Sequence, residues 1–433
     1  MTQIPLSNYV KRRLRLCNIL GDGIAIIPNY SKGTITTPDY YFSSEENFYY
    51  LTGSTEADAV LVLDVLAKKS IIFCQEKNPI KELWNGVIVG LEANSEKFDE
   101  AFCIDQFPKY LEQIINDDLT GKIYYEQGVS KYDSILMAII TKLRNKKYGT
   151  YLSVNDINIY VSQMRLIKEA EEISLIKKAV SISSEAHIEC MRHVSGMLYE
   201  HEVEAKFRSV CHAYGYRQLA YNPICASGAN ACTLHYNDNN AMIAPNGLLL
   251  LDAGVQVEGY ASDITRTYPS KSNFTIEQEK IYEIVLAANL AAINAVKLGV
   301  HYGQHGDVAL KVIVEGLIDI GLLKGSVKDN IENNRYKDFY MHSIGHWMGL
   351  LVHDVGYYEE KPGTPKQFAA GMVFTVEPGI YIRPSSDIPE NYWNIGVRIE
   401  DDLLITDDKV EVLSSGVPKH KDDIMAIMKD INK

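Results

Sequence analysis

The segment HSIGHWMGLLVHD, residues 342–354, places three histidines close together in the chain. His342, His346 and His353 could each bind a metal, hydrogen-bond a substrate or simply pack in a core. The spacing from His342 to His346 matches the zinc-binding pattern H-E-x-x-H, but Ser343 stands where that pattern has its catalytic glutamate. If this segment contributes to a metal site, the carboxylate ligands have to come from other parts of the chain.

Four acidic residues follow apolar, strand-like segments. Asp252 follows LLLL and Asp263 comes eleven residues later, whereas Glu377 follows MVFTV and Glu400 follows IGVRI. A carboxylate in such surroundings is costly unless it is paired, and two unit charges 4 Å apart repel by about 4 kcal/mol at an effective dielectric constant of 20. Two divalent cations would cancel the formal charge of four carboxylates, and a hydroxide could bridge the two metals.

Other interpretations of these acids exist. Each one taken singly could be a solvent-facing residue at the end of a strand. A structural calcium site is a further alternative, although the spacing of an EF-hand is absent from the sequence. Oxygen ligands with a single imidazole suit Mn²⁺, whereas a typical structural zinc site uses thiolate ligands. The joint pattern favours a centre with two divalent ions, most readily Mn²⁺.

The elements that would position these residues fall into two groups along the chain. In the first group, strand-like segments such as IAIIP and AVLVLDV alternate with helix-periodic segments such as QFPKYLEQIIND. This alternation is typical of an α/β domain. A long helix is predicted to begin at NIYVSQMRLIKEAEEIS, so we place the domains at 1–160 and 161–433.

The second group combines helices with pairs of strands. Helices are predicted at 166–195, 200–214, 275–298 and 304–320. The segment GLLLLDAGVQVEGYASDITRTYP predicts a hairpin that turns near Gly259, while GMVFTVEPGIYI and WNIGVRIEDDLLIT predict a second pair of strands. This mixture predicts an α+β second domain.

Composition narrows the classes of protein and partner. The net charge of −13 argues against nucleic acid as a partner. The most apolar long stretch, 281–300, is interrupted by polar residues, so no membrane-spanning segment is predicted. No apolar run follows the basic residues near the N-terminus, so no signal peptide is predicted. Seven cysteines without paired metal spacing predict free thiols in the reducing cytoplasm. The basic run KRRLR, residues 11–15, is expected on the solvated face of a helix.

The order of acids and histidines, with these flanking residues, resembles the metallopeptidases of the pita-bread fold. The matching segments are LDAGVQVEGYASDITRTYP, HSIGHWMGLLVHDVG, FTVEPGIYI and GVRIEDDLLIT. The upstream YNPICASGANACTLHY is similar to Xaa-Pro aminopeptidases within that superfamily. SSEENFYYLTGSTEADAVLVL and KELWNG resemble the creatinase-type N-terminal domain. The resemblance covers nearly the whole chain and implies an α/β N-terminal domain before an α+β pita-bread catalytic domain.

The resemblance implies that one of the three histidines, His346, is a metal ligand. It implies that Asp263 and Glu400 bridge two metals, that His346 and Glu377 complete one of them, and that Asp252 completes the other.

Further active-site roles are also implied by the resemblance. His235 and His353 would hydrogen-bond the substrate and the developing tetrahedral oxygen, and His342 would lie beside the pocket. Arg398 would hold the site, because residues two apart on a strand share a face and Glu400 follows it by two.

Three aromatic residues match substrate-binding positions of the family. Tyr221 and Tyr381 would lie near the site, and Trp84 would reach the active site of a neighbouring subunit. Simple packing is the alternative for each. The implied assembly is a homo-oligomer, a dimer or a tetramer.

The implied reaction releases the N-terminal residue from peptides with proline in second position. The Xaa-Pro bond has no N–H, so a site in which metals polarise the carbonyl and supply hydroxide is well suited to it. Glu377 could take the hydroxide proton and pass it to the proline nitrogen. The alternatives are an Xaa-Pro dipeptidase (prolidase), a methionine aminopeptidase and a non-catalytic peptide-binding protein on the same fold.

Overall fold

The computed structural model describes residues 4–29, 45–118, 120–128, 130–146, 152–271 and 273–429. Ser43 and Ser44, which begin the N-terminal family motif, lie outside these ranges. The chain divides into two compact units, 1–165 and 166–433. The division into two domains, 1–160 and 161–433, stays a prediction.

The first unit is an α/β unit built on a six-stranded mixed sheet. Its strands lie in the order β4-β3-β2-β1-β5-β6, with β1–β2 and β2–β3 antiparallel and the other pairs parallel. The strands are β1 Ile24–Pro28, β2 Val60–Asp64, β3 Lys69–Cys74, β4 Glu100–Cys103, β5 Lys122–Tyr124 and β6 Ser153–Asn155. The helices are α1 Leu6–Leu20, α2 Glu46–Thr52, α3 Pro79–Asn85, α4 Gly90–Ser95, α5 Phe107–Asp117, α6 Asp133–Lys146 and α7 Asn158–Leu166.

The expectation that the KRRLR run is solvated is wrong for two of its arginines. Arg12 and Arg13 are buried within the first unit. Arg12 lies over the ring of Tyr50 and donates to its carbonyl oxygen at 3.1 Å, while Arg13 donates to the carbonyl oxygen of Leu51 at 2.9 Å. The C-terminal carbonyls of the short helix α2 provide these acceptors, so burial of the two charged groups is compensated.

The second unit combines helices with small antiparallel sheets. Its helices are α8 Ala170–His193, α9 Glu200–Ala213, α10 Ile276–Ala295, α11 Gln304–Asp319, α12 Val327–Glu332 and α13 Lys421–Lys429. Its strands are β7 Ile224–Ser227, β8 Leu248–Asp252, β9 Gln256–Val257, β10 Tyr260–Ala261, β11 Thr265–Pro269, β12 Glu359–Lys361, β13 Thr364–Pro365, β14 Val373–Val376, β15 Gly379–Ile382, β16 Ile395–Arg398, β17 Asp401–Ile405 and β18 Val410–Val412. The sheets have the orders β11-β8-β7, β14-β17-β18, β15-β16, β9-β10 and β12-β13.

The hairpin predicted to turn near Gly259 is confirmed. Strands β8 and β11 pair antiparallel, and between them β9 and β10 form a small hairpin. Its two turn residues, Glu258 and Gly259, have φ of 51° and 85°. Positive φ at both central residues matches the twist of a two-residue hairpin, and glycine adopts it without steric cost.

Two details differ from the sequence expectations. The predicted long helix is divided into α7 and α8, because the side chain of Glu172 accepts the backbone N–H of Glu169 and caps a new helix there. The second predicted strand pair is two pairs: β14 pairs with β17, and β15 pairs with β16. Pro378, which lacks an N–H, stands at the break between β14 and β15. Within the described ranges, no helix has both the length and the apolar character needed to cross a membrane.

Candidate metal centre

Asp252, Asp263 and Glu400 converge from the end of β8 and from the residues that precede β11 and β17. Asp252 is the last residue of β8, and its register partner on β11 is Thr265, two residues after Asp263. Glu400 immediately precedes β17, and its backbone N–H donates to the carbonyl oxygen of Thr265 at 3.1 Å. Sheet pairing and this one backbone bond therefore bring together three acids that are up to 148 residues apart in sequence.

His346 and Glu377 complete the group. The backbone N–H of Glu377, just after β14, donates to the carbonyl oxygen of Ile344 at 2.8 Å, which joins the two segments. The Nε2 atom of His346 lies 3.3 Å from Asp263 Oδ2 and 3.7 Å from Glu377 Oε1. One ligand atom from each of Asp263, His346 and Glu400 lies within 4.8 Å of the others. These three residues form a group that could hold a metal ion.

The acids of this cluster are held where ionisation is unfavourable. Burial raises the pKa of Asp263, Glu377 and Glu400, to about 7 for Glu377, and repulsion between the carboxylates raises each pKa further. Burial alone would lower the pKa of His346, but its hydrogen bond with Asp263 and the charge of Glu377 raise it to about 9. The cluster therefore stabilises positive charge at this position.

Asp401, close to this cluster, is a buried acid whose negative charge is compensated by two cations. It is fully buried, yet Arg266 and Lys419 pair with it at 2.8 and 2.7 Å. Burial would raise its pKa, but the two cations hold the pKa well below its usual range. Among the described residues, no such pair of cations contacts Glu400, which is next to Asp401 in the chain.

Arg398 is the cationic side chain that reaches the cluster. Its Nη2 donates to Asp252 Oδ2, and its Nε donates to Thr265 Oγ1 at 3.1 Å. Within the described ranges, Arg398–Asp252 is the sole ion pair that arginine or lysine makes with Asp252, Asp263, Glu377 or Glu400. One guanidinium cannot balance four carboxylates, and the donor set of carboxylate oxygens with one imidazole nitrogen suits divalent cations. The residues present therefore fit a metal centre.

A directed chain of hydrogen bonds runs from Arg398 to His342. Arg398 Nη1 donates to the Tyr381 hydroxyl at 3.0 Å, and that hydroxyl lies 2.9 Å from His342 Nε2. His342 Nδ1 lies 2.8 Å from the carbonyl oxygen of Ser343, which can only accept. Burial, followed by the charge of Arg398, lowers the pKa of His342 to about 4, so the ring is neutral with its proton on Nδ1. Tyr381 therefore donates to His342 Nε2.

Tyr221 links two of the predicted ligands. Its hydroxyl lies 2.6 Å from Asp252 Oδ1 and 2.5 Å from Asp263 Oδ1. Burial and the two carboxylates raise the pKa of Tyr221 well above its ordinary value, so the hydroxyl keeps its proton and donates it. Tyr221 and Tyr381 therefore make hydrogen bonds with predicted site residues in addition to packing.

His353 and His235 lie beside the cluster. The ring of His353 packs against the edge of the His346 ring, with centroids 4.1 Å apart. His235 is exposed in the loop after β7, and its charge would contribute to lowering the pKa of His342. His353 is thus placed beside His346, His235 lies close to His342 and His353, and neither ring makes an ion pair with the acids within the described residues. Trp84 lies on α3 in the first unit with its side chain 80% exposed, and its role stays a prediction.

Thr265, which is not among the predicted site residues, contacts both Glu400 and Arg398. Its hydroxyl donates to Glu400 Oε2 at 2.6 Å and accepts from Arg398 Nε. Thr265, the first residue of β11, follows Asp263 by two residues, the same spacing that separates Arg398 from Glu400, so this signal was present in the sequence.

Comparisons with known proteins identify the family of the chain. Residues 174–407 match the model of metallopeptidase family M24, and residues 9–124 match the aminopeptidase P N-terminal domain. The Xaa-Pro aminopeptidases of Haemophilus influenzae and Escherichia coli are 36% and 34% identical, over 99% of this chain and 98% and 99% of theirs.

Solved structures give the same result. The structure of aminopeptidase PepP from Pseudomonas aeruginosa superposes with a TM-score of 0.92 at 36% identity, over 100% of this chain and 99% of that one. Aminopeptidase P from Escherichia coli superposes with a TM-score of 0.93 at 33% identity, over 100% of both chains. The predicted fold class is confirmed. The chain therefore belongs to metallopeptidase family M24 and carries an aminopeptidase P N-terminal domain, which makes it a metalloaminopeptidase of the pita-bread fold.

Proposed function

We propose that the protein releases the N-terminal residue from peptides that have proline in second position. The observation that carries this proposal is the convergence of Asp263, His346 and Glu400, with Asp252 and Glu377 beside them, in a chain similar to Xaa-Pro aminopeptidases over its full length. A non-catalytic peptide-binding protein on this fold has no need to keep four carboxylates near one guanidinium, because such burial is costly.

Two divalent metal ions, most readily Mn²⁺, fit the donor set. Asp252, Asp263, His346, Glu377 and Glu400 would hold them. Such ions supply Lewis acidity and lower the pKa of a water molecule toward neutrality. Tyr221 would hold Asp252 and Asp263 in fixed orientations, because its hydroxyl lies within hydrogen-bond distance of both.

The chain's own residues move the proton and stabilise the transition state. Glu377 accepts a proton from the attacking water and delivers it to the proline nitrogen, which leaves as a secondary amine. His353 and His235 donate hydrogen bonds to the substrate and to the oxygen that develops negative charge. No step requires an N–H on the scissile bond, which an Xaa-Pro bond lacks.

Arg398, Tyr381 and His342 act on the site through one chain of hydrogen bonds. Arg398 orients Asp252 and donates to Tyr381, and Tyr381 in turn orients His342 at the edge of the pocket. The expected effect of Tyr381 and His342 is on substrate position rather than on metal content.

The proposed setting is a homo-oligomer, a dimer or a tetramer, in the cytoplasm, without nucleic acid or membrane as a partner. All seven cysteines are free thiols, which is typical of a reducing compartment. Large apolar side chains are exposed on and next to α3, with Ile80, Leu83, Trp84 and Val87 each more than 70% exposed. Such a patch on a hydrophilic protein favours contact with another subunit, in which Trp84 would meet substrate.

The test compares three peptide classes with the manganese-loaded protein. An Xaa-Pro-Xaa tripeptide should be cleaved after its first residue, and its N-acetylated form should not be cleaved. Cleavage restricted to Xaa-Pro dipeptides would establish a prolidase instead. Cleavage of Met-Ala peptides without cleavage of Xaa-Pro peptides would establish a methionine aminopeptidase.

A further inference from the structure

Glu200, which no motif in the sequence singled out, has its carboxylate in the interior of the second unit. It is the first residue of α9, and its side chain is 0% exposed. A buried carboxylate is costly unless its oxygens are satisfied, so the identity of its donors indicates what it holds.

Four donors surround this carboxylate, and all come from one segment, residues 227–241. Oε1 accepts from the backbone N–H of Ser227 at 2.7 Å and from Asn230 Nδ2 at 3.0 Å. Oε2 accepts from the Tyr236 hydroxyl at 2.7 Å and from the backbone N–H of Ala241 at 2.9 Å. The two ends of the segment are thus bound to one side chain. Hydrogen bonds to a charged acceptor are about twice as strong as neutral ones.

This segment carries His235. Its neighbours Leu234 and Tyr236 turn inward and pack against an apolar cluster that includes Tyr381, whereas His235 itself is exposed. The Tyr236 hydroxyl that Glu200 holds is one residue from His235 in the chain. Fixing Tyr236 and both ends of the segment therefore determines where the His235 imidazole can project.

We infer that Glu200 is a positioning residue, which acts on the peptidase reaction by fixing the loop that presents His235 to the substrate. This inference rests on the proposed function for its kinetic consequence. Its structural consequence, the order of the segment 227–241, is independent of any activity.

Glu200→Gln is the informative variant because it keeps the size of the side chain. An amide offers one acceptor oxygen and an NH₂ donor, so a backbone N–H of Ser227 or Ala241 must then face another donor. Glu202→Gln is the matched control: Glu202 lies in the same first turn of α9, but its carboxylate accepts from the backbone N–H groups of Leu198 and Tyr199. Both variants remove one acidic charge from the same helix terminus.

Hydrogen–deuterium exchange measures the order of the loop directly. Amide exchange in residues 228–240 should rise in Glu200→Gln and stay at the wild-type level in Glu202→Gln. Unchanged exchange in Glu200→Gln would overturn the inference, whether or not the protein cleaves any peptide.

Kinetics on an Xaa-Pro-Xaa peptide measure the consequence for His235. With metal content at the wild-type level, kcat of Glu200→Gln should fall by about 10- to 100-fold, since a misplacement of about 1 Å can cost on the order of 100-fold in rate. In a His235→Ala background the same change should have little further effect, because the group it positions is gone. Glu202→Gln should keep the wild-type kcat.

The outcomes separate the inference from the proposed function. A multiplicative loss in the double variant, or a normal kcat in Glu200→Gln, would overturn the positioning role while leaving the proposed function intact. A wild-type protein that is metal-loaded and cleaves no Xaa-Pro peptide would overturn the proposed function. Thermal unfolding of each variant ensures that kcat is compared below its melting temperature.

Discussion

The Nζ atom of Lys168 lies 3.2 Å from Asp354 Oδ2, and both side chains are 1% exposed. Asp354 directly follows His353, and its backbone N–H donates to the carbonyl oxygen of Trp347 at 2.8 Å. The pair therefore joins the start of the second unit to the segment that carries His346 and His353.

Removing one partner of this ion pair should be strongly destabilising. Lys168→Met removes the ammonium group that pairs with the buried Asp354 carboxylate, and we expect the free energy of unfolding to fall by about 3–5 kcal/mol. Lys177→Met is the control, because Lys177 pairs with Glu411 at an exposed position and should change stability by less than about 1 kcal/mol. Urea denaturation measures both. Equal stability of the two variants would contradict the prediction.

The metal centre predicts a stoichiometry. The purified protein should bind about two divalent ions per chain, and Asp263→Ala or Glu400→Ala should lower the metal content and abolish activity. Glu315→Ala, at an exposed position on α11, is the control. Inductively coupled plasma mass spectrometry of dialysed samples gives the count. Full metal content in both centre variants would exclude these residues as ligands.

The three histidines should separate into three classes of effect. His346→Ala should lose metal and activity, because its Nε2 lies among the acids. His353→Ala should keep its metal and lose kcat by about 10²–10³, as for an oxyanion donor. His342→Ala should have a smaller effect, mainly on KM, since it is held by Tyr381. Metal analysis beside steady-state kinetics checks this, and equal metal loss in all three would indicate a histidine cluster instead.

The buried His305 should lower the free energy of unfolding of the protein in mild acid. Its ring is fully buried among Tyr302, Phe368 and Phe374, neither ring nitrogen has a hydrogen-bond partner among the described residues, and burial lowers its pKa from 6.5 to about 4. Above pH 6.5 the ring is neutral in both states. As pH falls from 6.5 to 4 the unfolded state takes up a proton first, so stability decreases by roughly 3 kcal/mol.

His305→Phe should remove that contribution. The difference in unfolding free energy between wild type and variant, measured by urea denaturation from pH 7 to pH 4, isolates His305 from other titrating groups. His193→Gln, at a position where the side chain is 47% exposed, is the control for the loss of a histidine outside the core. Parallel pH profiles for wild type and His305→Phe would refute the prediction.

Much of the candidate centre follows from local pattern. Asp252 is the last residue of β8, a two-residue spacing links Arg398 at the end of β16 to Glu400, and Gly259 marks the hairpin between Asp252 and Asp263. These features are readable because strand periodicity and turn conformation depend on residues that are near one another in sequence. The resemblance of these motifs to a known family indicated which of the acids, together with His346, are metal ligands.

Tertiary structure alone decided the contacts between distant segments. Lys168 and Asp354 are 186 residues apart, and Glu200 finds its donors 27 to 41 residues away. Arg12 is buried because the carbonyl of Tyr50 lies beside it, although its sequence neighbours predict a solvated face. A lysine, glutamate or arginine carries no local sign of its future partner. Whether its charge is buried depends on which distant groups the packed chain places against it, because a buried charge persists only where such groups satisfy it.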